Sequence, residues 1–250
     1  MTHLPSTIRV RRAGLAVALA TVVALAIPAG AQALTVYAAA SLREAFPQIA
    51  SATYDFAGSG ALQQQIERGA PADVFASANP AEAQALFRAG RCTRPVTFAT
   101  NVVVLLVPRG NPGRVTSVYS LRSGGRRLAI GVPGVPIGDY ARKLLARMRL
   151  TSILRSNTVS QEANVAGITS KVALGSADAG FTYITDGRIV ADRVTTIRLP
   201  KWAQPPVRYQ ICAVRRAGAD TRGAEAFIGR VTGSKGRGVL QAGGFGLPPR

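Results

Sequence analysis

Two serines occur where a short apolar strand gives way to a helix-like stretch, and their position suits ligand binding. Ser41 follows the strand-like segment Leu34–Ala38, and Ser59 lies between two glycines after the segment Thr53–Phe56. A serine in the first turn of a helix offers its hydroxyl and leaves backbone N–H groups pointing outward, where the helix dipole favours an anion. One such serine is usually only a helix cap. Two of them early in one chain favour a divided oxyanion site.

The acid–base residues argue against an enzyme. The chain has one histidine, His3, in a segment that we expect to be removed. Without it, neither a Ser-His-Asp or Cys-His mechanism nor a histidine-based zinc site is possible. The 12 acidic residues include no obvious catalytic pair, and we interpret Asp73 and Asp178 as structural. We therefore predict no enzymatic activity and no cofactor.

Residues 1–33 have the pattern of a cleavable signal peptide. Three arginines precede the apolar run Ala13–Ile27, and Ala31–Ala33 matches an Ala-x-Ala cleavage site. The apolar run is short for a membrane span, which needs about 20 residues. An uncleaved anchor is the alternative. The mature protein is expected in the periplasm or another extracytoplasmic compartment.

The charge of the mature chain would be strongly positive, because 28 basic residues remain against 12 acidic ones, a net charge of +16. Such a balance favours an anionic partner, which could be nucleic acid, a membrane surface or a small oxyanion. The basic residues are scattered singly or in pairs, and no nucleic-acid-binding motif occurs. We interpret most of this charge as solvated surface and predict no nucleic-acid partner.

Cys92 and Cys212 are the only cysteines. In a chain exported to an oxidising compartment, two cysteines are consistent with one disulfide. The alternative is a pair of buried free thiols. Their wide separation excludes a Cys-x-x-Cys redox motif.

Short apolar strands alternate with amphipathic helices along the mature chain, which is typical of an α/β fold. Asn79 and Pro80 predict the start of a helix, and Gly90 predicts its end. The β-rich run Thr97–Val107 is long enough to cross between two lobes.

Six short motifs occur in a fixed order from Ala38 onward. They are Ala38–Leu42, Gly58–Leu62, Ile66–Ala78, Phe98–Asn101, Val135–Ala141 and Ala177–Tyr183. In this order they resemble the periplasmic molybdate-binding proteins of ABC transporters. The resemblance implies a type II periplasmic-binding-protein fold, in which two lobes, each a sheet flanked by helices, enclose a ligand cleft. Lobe one would hold residues 34–98 and 209–250, and lobe two residues 99–208.

The resemblance also implies five ligand-binding residues. Ser41 and Ser59 would offer hydroxyl and backbone donors, Ile137 and Val165 would offer backbone N–H groups, and Tyr183 its phenolic O–H. Ile137 stands where the family usually has alanine, so its larger side chain could reshape the pocket. The metal would be bound only as its oxyanion. Glu162, near this site, could act as an additional acceptor or gate.

The function implied by the resemblance is capture of molybdate, together with tungstate, by a monomer that delivers it to a membrane permease and its ATPase. Two alternatives stay open. One is a binding protein for another oxyanion such as sulfate. The other, motivated by the positive charge, is a basic envelope-associated protein that binds polyanions.

Overall fold

Two five-stranded sheets form the framework of the protein. The structure is a computed structural model that describes residues 1–2 and 33–249. The predicted signal peptide, apart from residues 1, 2 and 33, lies outside the described residues. The ten strands in residues 33–249 are β1 Thr35–Ala39, β2 Thr53–Ala57, β3 Val74–Ser77, β4 Val96–Asn101, β5 Val103–Pro108, β6 Leu128–Gly131, β7 Thr158–Glu162, β8 Ala179–Tyr183, β9 Val194–Arg198 and β10 Val207–Ala213.

The strand order brings distant segments together. The first sheet has the order β2-β1-β3-β10-β4, and the second has the order β7-β6-β8-β5-β9. Strand β1 pairs in parallel with β2 and β3, and β6 pairs in parallel with β7 and β8. Parallel neighbours end at the same sheet edge, so the loops that follow them meet there.

Helices cover both sheets and begin at the signals that the sequence offers. Asn79 caps its helix by accepting from Ala81 N at 3.2 Å, with Pro80 as first helical residue, as predicted. Gly90 follows the end of that helix with φ +71°, a conformation that glycine adopts without strain. No helix in the described part has the length and apolar character that a bilayer crossing needs. The helices between residues 33 and 249 are α1 Phe46–Ile49, α2 Ser59–Glu67, α3 Pro80–Arg88, α4 Pro136–Arg147, α5 Ile153–Asn157, α6 Val165–Ala173, α7 Ile184–Ile189, α8 Thr221–Thr232 and α9 Ser234–Ala242.

The chain passes from the first sheet to the second at Val102, between β4 and β5. The Asn101 side chain accepts the Val102 N–H at 2.9 Å and so satisfies a donor at this break between the strands. The first sheet therefore includes residues up to Asn101 and resumes at Val207, whereas the expected lobe boundaries lie at residues 98 and 209. Gln204, in the returning segment, bonds both the N–H and the C=O of Val103 and ties the two crossings together.

The acidic residues Asp73 and Asp178 bind neighbouring arginines. Arg216 donates to the buried carboxylate of Asp73 at 2.7 Å, and Arg127 donates to Asp178 at 2.6 Å. The hydrogen bond from Arg127 holds the pKa of Asp178 below its usual range, although burial opposes this. Each carboxylate thus connects two segments of its own sheet, Asp73 in the first and Asp178 in the second, in agreement with a structural role.

Cys92 and Cys212 are free thiols in the structure, so the predicted disulfide is not formed there. Both are fully buried in one apolar cluster with Tyr37, Leu62 and Phe75. They are close enough that a hydrogen bond with Cys92, together with burial, raises the pKa of the Cys212 thiol. The disulfide stays a prediction for the exported protein.

We expect protein purified from an oxidising compartment to contain no free thiol after denaturation, because Cys92 and Cys212 are neighbours. Such a bond would close a loop of about 120 residues and, by its effect on the entropy of the unfolded chain, stabilise the fold by about 5 kcal/mol. Thiol titration in denaturant, with and without a reductant, measures this directly. The Cys92→Ser/Cys212→Ser double variant is the control. Two titratable thiols in the unreduced exported protein would contradict the prediction.

Candidate functional site

One cavity between the two sheets brings together all five residues that the sequence singled out. It has about 220 Å³ of atom-free space, a figure that includes the part open to solvent. None of the side chains in its lining carries a charge. The lining residues are Ala39, Ala40, Ser41, Ala57, Gly58, Ser59, Ala78, Val135, Pro136, Ile137, Asn164, Val165 and Tyr183.

Three helices begin at the wall of this cavity. Helix α2 begins at Ser59, α4 at Pro136 and α6 at Val165, and all three positions are in the lining. The first N–H groups of a helix have no partner within it, and the helix dipole places partial positive charge there. Pro136 has no N–H, so the first donor of α4 is the backbone of Ile137. The arrangement can surround an anion with neutral donors from both sheets.

Residue 137 would contribute its backbone N–H, not its side chain, to the cavity. Its side chain is buried, with 1% exposure, while its N–H is at the start of α4. Gly138 packs against Gly131, where an added Cβ would lie 2.7 Å from the Gly131 carbonyl carbon, so the α4 start is held close to the end of β6. The donor at residue 137 is therefore set by the backbone.

The three hydroxyls at the cavity differ in their partners. Ser59 Oγ accepts a hydrogen bond from Ala78 N at 3.1 Å, and Ser41 Oγ lies 2.9 Å from Tyr209 Oη. Tyr183 Oη is buried and has no hydrogen-bond partner in the described residues. Burial raises the pKa of Tyr183 well above its usual value, with the nearby tyrosines adding to the effect. A protonated, unpartnered phenol in this wall is available to donate to a ligand.

Two glycines let the walls of the cavity approach each other. A Cβ on Gly60 would lie 2.7 Å from the carbonyl oxygen of Gly134, and one on Gly58 would overlap the carbonyl oxygen of Ala163. Gly58 and Gly60 follow the first sheet, whereas Gly134 and Ala163 follow strands of the second. The two sides of the cleft are therefore in backbone contact here.

Sequence reasoning missed Asn164 and Tyr209 as residues at the site. Asn164 lines the cavity and caps α6 by accepting from Gly167 N at 3.1 Å. An asparagine directly before a helix is a recognisable cap signal, so it could have been found. Tyr209 follows Ser41 by 168 residues and contacts it only because β10 pairs with β3 and β4. No local sequence pattern predicts that contact.

Glu162 does not line the cavity. Lys171 lies 2.8 Å from its carboxylate. Burial alone would raise the pKa of Glu162, but the hydrogen bonds from Lys171 and Ser160 bring that pKa below its usual value. A carboxylate paired in this way has no free role as a gate, which disfavours that expectation.

Asp186 is an acidic group buried behind the tyrosines of the site. It belongs to the first turn of α7, and its Oδ2 has no hydrogen-bond partner in the described residues. Burial raises the pKa of Asp186 to about 7, although backbone N–H groups at Tyr183 and Asp186 partly offset this. Its negative charge in turn contributes to the raised pKa of Tyr209.

Comparison with known proteins identifies the family to which this chain belongs. Residues 34–246 match the family described as bacterial extracellular solute-binding protein. The chain belongs to this family. A curated relative, the molybdate-binding protein ModA of Mycobacterium tuberculosis, is 36% identical over 230 residues, which cover 88% of this chain and 86% of the relative.

Solved structures of solute-binding proteins share the fold. The periplasmic molybdate-binding protein of Azotobacter vinelandii superposes with a TM-score of 0.76 at 23% identity, over 86% of this chain and all of that one. The sulfate-binding protein SubI of Mycobacterium tuberculosis gives a TM-score of 0.70 at 15% identity, over 85% of each chain. The predicted two-lobed periplasmic-binding-protein fold is thus confirmed. The fold alone does not separate one oxyanion from another.

Adding one methyl group at Gly60 should keep the two sides of this solute-binding protein apart. We expect Gly60→Ala to weaken binding of molybdate, used as a probe, by about tenfold or more, since relieving such an overlap costs about 1–3 kcal/mol. Isothermal titration measures the change. Gly110→Ala is the control, because a Cβ there meets no atom within 4 Å. Equal affinities for both variants would show that the contact is not needed for binding.

Replacing Asp186 should stabilise the protein in a pH-dependent way. Its folded pKa of about 7 exceeds its ordinary value of 3.8, so the cost of the buried carboxylate is absent below 3.8 and grows until the pH passes 7. We expect Asp186→Asn to raise the free energy of unfolding at pH 8 by up to about 4 kcal/mol and to have little effect near pH 4. Urea unfolding at both pH values measures this.

The control is Asp192→Asn, because Asp192 is exposed and makes only a 3.9 Å surface pair with Arg193. A stabilisation by Asp186→Asn that is equal at pH 4 and pH 8 would contradict the raised pKa.

Proposed function

We propose that the protein is an extracytoplasmic binding protein that captures molybdate and passes it to the permease and ATPase of an ABC transporter. The observation that carries this proposal is the uncharged cavity onto which three helix N-termini and three hydroxyls converge. The curated relative with 36% identity, a molybdate-binding protein, supports the choice of ligand. Binding and release leave the ligand chemically unchanged, so no enzymatic activity or cofactor is proposed.

Binding must replace the hydration of a dianion, because an unpaired buried charge costs far more than a protein can tolerate. Ser41, Ser59 and Tyr183 would supply O–H donors, and Ile137 and Val165 would supply backbone N–H donors. Hydrogen bonds to a charged acceptor are shorter and stronger than neutral ones. Because the donors carry no net charge, the bound ion forms no ion pair that would resist release to the transporter.

The donors come from both sheets, so binding and closure are coupled in this proposal. Residues 34–98 with 209–250 and residues 99–208 would act as two lobes that rotate about the crossings at Val102 and Gln204. Tungstate has nearly the same size and charge as molybdate and would bind as well. The mature protein would act as a monomer after loss of residues 1–33.

Isothermal titration with molybdate, tungstate and sulfate tests this function. We expect similar affinities for molybdate and tungstate, and sulfate at least about tenfold weaker, because the smaller ion reaches fewer fixed donors. Ser59→Ala should weaken molybdate binding by about 10- to 100-fold, the effect of one hydrogen bond to a charged group. Ser123→Ala is the control, because Ser123 is exposed and outside the cavity lining, and its hydroxyl bonds only surface partners, Ser120 O at 3.3 Å and Arg126 Nη1 at 3.2 Å.

Tighter binding of sulfate than of molybdate would overturn the choice of ligand. Absence of binding for all three anions, with strongly salt-dependent binding of heparin instead, would favour the polyanion-binding alternative.

A further inference from the structure

A chain of four buried polar side chains runs behind the cavity and connects the two sheets. Ser41 Oγ lies 2.9 Å from Tyr209 Oη, and Asn101 Nδ2 donates to Tyr209 Oη at 3.3 Å. The same Asn101 nitrogen donates to Thr185 Oγ1 at 2.9 Å. None of the four is more than 8% exposed. Of the four, only Ser41 lines the cavity, so the other three can act on a ligand only through Ser41.

The direction of each hydrogen bond in this chain follows from donor and acceptor accounting. The backbone N–H of Val102 can only donate, and it donates to Asn101 Oδ1 at 2.9 Å. This contact fixes the orientation of the amide, so that Nδ2 must face Tyr209 and Thr185. An amide nitrogen cannot accept, and therefore the oxygen of Tyr209 accepts.

Tyr209 has one proton, and Ser41 Oγ is the acceptor within its reach. Burial raises the pKa of Tyr209 well above its usual value, so this proton stays on the phenol at neutral pH. Ser41 Oγ consequently accepts from Tyr209, which leaves the Ser41 proton without a protein acceptor in the described residues, at a residue that lines the cavity. The Ser59 hydroxyl oxygen is likewise an acceptor, because it accepts the Ala78 N–H at 3.1 Å.

We propose that Asn101 and Tyr209 are positioning residues that turn the Ser41 hydroxyl into a fixed hydrogen-bond donor toward the ligand, and so favour oxyanions that carry no proton. This rests on the proposed function. Molybdate, tungstate and sulfate accept at every oxygen at neutral pH, whereas arsenate carries a proton that needs an acceptor. If Ser41 accepted that proton, its own proton would be buried without a partner, which is costly.

Tyr209→Phe removes the donor to Ser41 and retains the ring, which packs edge-on against Phe98, Tyr183 and Phe245. We expect molybdate binding to weaken about tenfold, because the Ser41 hydroxyl becomes free to rotate. Binding of arsenate, measured by displacement of molybdate, should not weaken, since a rotating hydroxyl can accept the arsenate proton. The preference for molybdate over arsenate therefore falls about tenfold.

Tyr54→Phe is the matched control. It removes another tyrosine hydroxyl of the first sheet, one that donates to Phe46 O at 3.1 Å and Ala50 O at 2.6 Å. It should leave the molybdate affinity unchanged. Thermal unfolding of each variant establishes that the protein is folded.

A double-mutant cycle separates positioning from a merely structural effect. Because Tyr209 acts through Ser41, Tyr209→Phe should weaken molybdate binding about tenfold in the native background and less than twofold in a Ser41→Ala background. An equal loss in both backgrounds, or an equal loss for molybdate and arsenate, would overturn the inference. Failure of the unmutated protein to bind molybdate would instead overturn the proposed function.

Discussion

The desolvation of a doubly charged anion by neutral donors is the constraint on which the rest of the proposed site depends. Backbone N–H groups can do this only where they have no partner of their own, and a helix N-terminus offers several such groups at one place. In this protein three helices begin at the same cavity. The fold achieves this with parallel strand pairs in two sheets, since α2 follows β2, α4 follows β6 and α6 follows β7 at strand ends that face one cleft.

The neutrality of the cavity contrasts with the charge of the protein. The whole chain has a net charge of +19, yet no charged side chain contributes to the cavity lining. The attraction of anions over long distances and the selection of one anion at the site thus depend on different groups. The scattered surface cations raise the local concentration of any anion. Donor geometry inside the cleft then selects among anions. The carboxylate of Glu162, at the end of β7 near the cleft, is bound to Lys171, whereas the buried Asp186 Oδ2 has no hydrogen-bond partner in the described residues.

Sequence reasoning predicted the parts of the site that depend on local patterns. The serine junctions at residues 41 and 59 could be identified because a strand, small residues and a helix follow one another directly. Ile137 and Val165 could be predicted only from the family resemblance, because a residue that donates through its backbone N–H needs no particular side chain. Tyr209 could not be predicted from the sequence, because its contact with Ser41 depends on the pairing of β10 with strands more than a hundred residues earlier. The predicted lobe boundaries at residues 98 and 209 stay predictions; the strands of the first sheet extend to Asn101 and resume at Val207.

Asn101 shows how the crossing between the sheets and the ligand contacts are connected. The oxygen of its amide accepts from the backbone N–H at the crossing, and the nitrogen bonds Thr185 of α7, which follows the second sheet, and Tyr209 of the first sheet. Both amide protons of Asn101 are used in these contacts. In the proposed arrangement, a substitution that moves the backbone at the crossing would therefore change the hydrogen bonding of Tyr209, and with it the direction in which Ser41 presents its proton. In the proposed mechanism Asn101 thus connects the crossing between the sheets with Ser41, so that the lobe geometry and the choice of anion would not vary independently.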